Sequence, residues 1–84
     1  IEVRLYGMLQ QYRPDTAGGA SHHPFSFVLE AGDTAVSLAA RLGIPEGFVT
    51  AVAINQTAVS LTTLLQPGDR VSLFPPSVGG SSMR

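Results

Sequence analysis

Gly32-Asp33-Thr34-Ala35-Val36-Ser37-Leu38-Ala39-Ala40-Arg41-Leu42-Gly43-Ile44-Pro45 is the one stretch of this chain with the period of an amphipathic helix. Ala35, Leu38, Ala39 and Leu42 recur at i, i+3, i+4 and i+7, which lines them along a single apolar stripe. Asp33 or Thr34 can accept a hydrogen bond from the free N–H groups of the first turn, and Gly43 followed by Pro45 ends the helix in the expected order. Every other regular pattern in the chain has the period of a strand. One helix among strands predicts an α+β roll, with that helix packed on one face of a single mixed sheet.

Towards the N-terminus, residues 1–6 alternate apolar and polar. Val3 and Leu5 then face the core while Glu2, Arg4 and Tyr6 face outward, which puts an aromatic ring on a mostly polar face. A short irregular or helical turn is expected through Met8 and Leu9. Residues 13–24 hold two prolines, Gly18-Gly19, Asp15 and Ser21, and read as a surface loop. Residues 25–30 form the second expected strand, with Phe25, Phe27 and Leu29 sharing a face.

Towards the C-terminus, residues 49–54 read as a third strand, Asn55-Gln56 as a turn and residues 58–61 as a short fourth strand. A helical turn closed by Pro67-Gly68 is expected over residues 64–69. Residues 70–74 form the last strand, with Val71 and Leu73 inward and Ser72 and Phe74 outward. Pro75-Pro76 then stop the pairing, because proline has no N–H to give the ladder. The sheet has four to five strands by this count, within a domain spanning residues 1–76 and followed by a flexible tail over 77–84.

Composition narrows the function. Eighty-four residues hold one modest core, so a deep enzymatic cleft is not expected. The net charge of −1 and five scattered arginines (Arg4, Arg13, Arg41, Arg70, Arg84) give no basic footprint for nucleic acid. With no cysteine, thiolate metal sites, disulfides and thiol nucleophiles are all excluded. No stretch has the apolar length of a membrane span, and the expected location is the cytoplasm. His22-His23 form a weak metal motif, since neighbours in a loop rarely supply two ligands in fixed geometry, and no metal site is expected there. Asp33 and Asp69 each follow glycine at a turn and read as backbone caps. No nucleophile–base pair is visible.

The tail Pro75-Pro76-Ser77-Val78-Gly79-Gly80 carries the functional signal. Two prolines hold the exit from the sheet extended, and two glycines let bare backbone enter a narrow channel of another protein. The plainer reading is an ordinary chain terminus. Resemblance separates the two. Ala53-Ile54-Asn55-Gln56-Thr57, Val59-Ser60, Leu65-Gln66-Pro67-Gly68-Asp69-Arg70-Val71 and Leu73-Phe74-Pro75-Pro76-Ser77-Val78-Gly79-Gly80 resemble the C-terminal half of the molybdopterin synthase small subunit. Together with the Leu42-Gly43-Ile44-Pro45 helix ending, they make the chain similar to the ThiS/MoaD family of ubiquitin-like sulfur-carrier proteins.

That resemblance implies a ubiquitin-like β-grasp fold and a protein co-substrate rather than an enzyme. By analogy Gly80 is the carrier residue: a ubiquitin-activating-type adenylating enzyme would use ATP to activate its carboxylate, which then becomes a thiocarboxylate. An acceptor such as the molybdopterin synthase large subunit would receive the sulfur, with thiamine thiazole formation as the other pathway. No cofactor is expected on the chain itself. Gly79, Val78, Pro76 and Pro75 would thread into the partner, and Phe74 with Tyr6 would form part of the docking face. Residues 81–84 depart from the pattern, because they leave Gly80 in a peptide bond where the chemistry needs a free carboxylate, so removal by a protease is implied. Two other roles stay open, a ubiquitin-like protein modifier and a binding module with an unprocessed tail. All five basic residues are arginines, so no lysine can receive an isopeptide bond.

Overall fold

The computed structural model describes residues 1–76. Its strands are β1 (Glu2–Leu5), β2 (Phe25–Ser26), β3 (Ala51–Ile54), β4 (Thr57–Val59) and β5 (Arg70–Phe74), and its single α-helix is α1 (Ala35–Arg41). The strands form one sheet in the order β2-β1-β5-β3-β4. At its centre β1 and β5 run parallel, while the β1–β2, β3–β5 and β3–β4 pairs are antiparallel. This is the expected α+β mixed sheet with one main helix, consistent with a ubiquitin-like β-grasp roll.

Register explains the core. Phe25, Val3, Val71 and Ile54 form one row across the inner face, and Leu5, Leu73, Val52 and Val59 form the next. Ala35, Leu38 and Ala39 of α1 join the same buried cluster as these rows, and Leu5, Leu9, Leu38 and Leu73 are its largest fully buried side chains. Burying each leucine contributes about 1.5–3 kcal/mol. A one-residue slip of β5 would turn Val71 and Leu73 out to water, so burial fixes the register.

The helix ends follow the sequence signals. Thr34 is the N-cap, its Oγ1 accepting the Ser37 N–H at 3.3 Å while the Ser37 Oγ accepts the Thr34 N–H at 2.8 Å. This reciprocal pair satisfies two otherwise free donors and contributes about 1 kcal/mol. At the far end Gly43 takes the left-handed φ of 81°, and Ile44, only 5% exposed, folds back to donate to the Ala39 carbonyl.

Four expectations change. The second strand is two residues long rather than six, although Phe27 still exchanges hydrogen bonds with Ile1 at 2.9 and 3.1 Å. Beyond it the chain turns away to bring Asp33 beneath Glu30, leaving Val28 74% exposed. The third and fourth strands are Ala51–Ile54 and Thr57–Val59 rather than 49–54 and 58–61: the third starts two residues later, and the tight turn at Asn55-Gln56 lets Thr57 pair with Ile54. No helical turn forms over 64–69: Leu64 bridges to Thr34, and the Leu65 N–H donates to the Asp33 carbonyl at 2.9 Å, so this segment lies extended beside the start of α1. The Pro67-Gly68 turn is present, with Gly68 at φ 87° as a type II turn requires. A 3₁₀ helix, Gly7–Tyr12, occupies the expected turn after β1 and buries Leu9, and a second, Asp15–Ala17, lies within the expected loop.

Candidate functional site

The parallel pairing of β1 and β5 brings Tyr6 and Phe74 together at the same end of the sheet. The Tyr6 N–H donates to the Leu73 carbonyl at 3.2 Å, which continues the ladder one residue past β1. The two rings stack with centroids 4.7 Å apart and planes 12° from parallel, and both residues are half-buried. Alternation is the reason: Val71 and Leu73 take the core face, so Phe74 is left on the other face with Tyr6 as its neighbour. Beside them the outer face is built from short side chains, with Ala51 paired to Phe74 and Ser72, Ala53 and Ala58 in one row with Arg4.

The end of β5 is fixed on two sides. Thr50 donates its N–H to the Phe74 carbonyl at 3.0 Å and its hydroxyl to the Pro75 carbonyl at 3.1 Å. On the opposite side Gly7, at φ 57°, packs so closely that a Cβ there would lie 2.9 Å from Pro75 Cγ. Any other residue at position 7 would strain the backbone and collide with the proline. Pro75 is thereby half-buried between Thr50 and Gly7, and the exposed Pro76 leads away from the sheet. Tyr6, Phe74 and Pro75 thus meet in one place; Val78, Gly79 and Gly80, with the rest of 77–84, lie outside the described residues.

Thr50 and Gly7 are site-building residues that the sequence reading missed. Thr50 falls within the strand expected over residues 49–54, and nothing in a lone threonine announces a bond to a carbonyl 25 residues on. Gly7 carried a usable signal, since a glycine directly after an alternating strand and an aromatic often marks a close backbone approach.

The remaining polar clusters are structural. Asp33, 6% exposed, accepts the Glu30 N–H, the Ser37 hydroxyl and the Arg41 guanidinium. These partners, the Glu30 N–H foremost, hold its carboxyl below the usual carboxylate range. Arg41 also reaches Glu30 at 3.5 Å and lies 4.7 Å over the Phe27 ring, tying the start of α1 to the segment after β2. Asp69 caps the Gln66 N–H at 2.8 Å and accepts from the Asn55 amide at 3.1 Å. The His22 and His23 rings meet edge to face, and among the described residues no three His, Cys, Asp or Glu side chains gather as a metal site. No described helix is long and apolar enough to cross a membrane.

The described residues thus place an aromatic pair beside the fixed start of the tail at Pro75. Comparison with known proteins is in keeping with that geometry. The ThiS family model matches residues 20–80, well over half of the chain, from the loop before β2 to the second glycine of the tail. No curated protein matches the chain.

Proposed function

The chain belongs to the ThiS family, small sulfur-carrier proteins of cofactor biosynthesis, and from that premise we propose that Gly80 is the residue that carries the sulfur. In this reading a ubiquitin-activating-type adenylating enzyme transfers AMP from ATP to the Gly80 carboxylate, releasing pyrophosphate. The step is needed because a carboxylate is a poor electrophile until its oxygen becomes part of a leaving group. A sulfide-level nucleophile then displaces AMP to leave a thiocarboxylate, which an acceptor enzyme consumes. The chain is a co-substrate throughout and acts in the cytoplasm. Sulfur delivery to a pterin-dithiolene precursor is the favoured end use, on the Phe74-Pro75-Pro76 ending and the Asn55-Gln56-Thr57 turn, with thiamine thiazole formation the alternative.

The observation that carries this reading is the fixed root of the tail. Thr50 and Gly7 set where Pro75 leaves the sheet, next to the Tyr6–Phe74 stack, so a partner gripping the aromatic pair finds the start of the tail in a constant position. Prior fixation of that start lowers the ordering cost of threading Pro76, Val78 and Gly79 into a channel. Gly80 has no free carboxylate while residues 81–84 remain, so the proposal includes their removal by a protease.

Intact mass of the protein purified from its native host is the test. A chain ending at Gly80, heavier by roughly 16 Da for sulfur in place of oxygen, supports the carrier. A chain that keeps residues 81–84 while sulfur transfer is active in the cell overturns it in favour of a binding module with an unprocessed tail.

A further inference from the structure

Presenting a tail does not account for two features of the outer sheet face. The first is a recess of about 160 Å³ bounded by Glu2, Arg4, Tyr6, Gln56, Arg70 and Ser72, which adjoins the aromatic stack through Tyr6. Arg4 and Arg70 are both exposed, and among the described residues neither forms an ion pair; the two pairs found there both belong to Arg41. Glu2 stands opposite Arg70 in the register of β1 and β5, yet it too has no ion pair among the described residues. A chain with a net charge of −1 thus sets two unpaired guanidinium groups around one recess.

The second feature is backbone strain at the rim of the same recess. The turn between β3 and β4 holds Asn55 at φ 52° and Gln56 at φ 72°. Asparagine tolerates that conformation, and Asn55 is held in it by bonds to Asp69 and to the Arg70 N–H at 3.1 and 3.0 Å. Glutamine has no such excuse: glycine is the favoured residue at the second position of a turn with two left-handed residues. Strain kept at a position that glycine would relieve points to use of the side chain, and Gln56 is one of the residues that line the recess.

We propose that this recess receives a carboxylate side chain, aspartate or glutamate, of the protein that docks on the sheet face. The inference rests on the docking reading given above and adds the chemistry of the partner's contact. Arginine forks match a carboxylate in geometry and charge, and the Gln56 amide supplies a further neutral donor. Glu2 on the rim disfavours a polyphosphate and leaves room for one isolated negative group. The aromatic stack gives the contact its apolar area, and the recess gives it orientation and choice of partner.

Binding of the 84-residue chain to the ubiquitin-activating-type adenylating enzyme of its own host, measured by calorimetry at low and high salt, tests the assignment. Arg4→Glu and Arg70→Glu should each weaken binding at least about tenfold and flatten its salt dependence, because a like charge then faces the partner's carboxylate. Both positions are exposed, and a thermal melt confirms folding; Arg4→Gln and Arg70→Gln serve if a reversal unfolds the chain. Gln56→Gly should melt at a higher temperature and bind more weakly. If the arginine variants bind like wild type while Phe74→Ala does not, docking stands and the recess assignment falls. If wild type itself fails to bind, the docking reading falls and takes the recess with it.

Discussion

Tyr6 and Phe74 stack nearly parallel, 4.7 Å between ring centroids, across the seam between two parallel strands. Neither ring belongs to the buried cluster that holds the fold. Aromatic surface gathered on one face, next to the point where the chain leaves the sheet, is surface a partner can bury at little cost in side-chain ordering.

Phe74→Ala should therefore separate docking from folding. The fold loses the stacking contact, worth about 0.5–1.5 kcal/mol, and stays folded. Affinity for the adenylating partner should fall by about 1–2 kcal/mol, as for an aromatic interface anchor. Calorimetry beside a thermal melt reads both, and an unchanged affinity rules Phe74 out of the docking face.

Gly7→Ala should cost stability out of proportion to one methyl group. Alanine at φ 57° carries left-handed strain of about 1–2 kcal/mol, and its Cβ would be driven against Pro75. Chemical denaturation gives the loss, and the amide resonance of Thr50 should shift as Pro75 moves. A Thr50 signal that stays in place would mean that Gly7 does not set the tail root.

Thr50→Val removes the hydroxyl bond to the Pro75 carbonyl and keeps the shape of the side chain. Stability should drop by only about 0.5–1.5 kcal/mol, since the exposed carbonyl can turn to water. Adenylation of a chain ending at Gly80 should slow more than stability falls, because the tail root is no longer fixed. Pyrophosphate release by the partner enzyme measures this, and an undiminished rate would show that fixation of Pro75 is irrelevant.

Acid should weaken the fold through Asp33. Its carboxyl is held below the ordinary 3.8, so the unfolded chain takes up a proton at higher pH than the folded one. The stabilisation is complete above about pH 4 and is lost as pH falls through the lower folded-state value. Denaturation midpoints measured from pH 5 to pH 2 should show this slope for wild type and a shallower one for Asp33→Asn; equal slopes would assign the acid sensitivity elsewhere.

The sequence made the centre of the molecule legible and left its periphery obscure. Alternation in β1 and β5 and the stripe on α1 report burial on one face, and burial is what binds those elements together. Tyr6 and Phe74 could be placed outside by the same parity. The segment over 64–69 could not, because its extended course depends on Thr34 and Asp33, groups distant in sequence that capture Leu64 and Leu65. The second strand misled for a related reason: Phe25, Phe27 and Leu29 do alternate, but Asp33 and Arg41 pull the chain after Phe27 towards the helix. The site divides along the same line. Its aromatics are visible as residue types and Gly7 by its place after the strand, whereas the Thr50 hydroxyl acts on a carbonyl 25 residues on, which no local pattern encodes.

The parallel pairing of β1 with β5 bears on the order of events during synthesis. The central strand, β5, is the last of the described strands to be made, and β1, paired on its other side with β2, must wait for it, so the sheet cannot be completed while the ribosome is still short of residue 74. The aromatic stack and the seat of Pro75 come into being with that final pairing and not before. A half-made chain consequently lacks both, and under the proposed carrier role competence for activation would become a readout of completed folding.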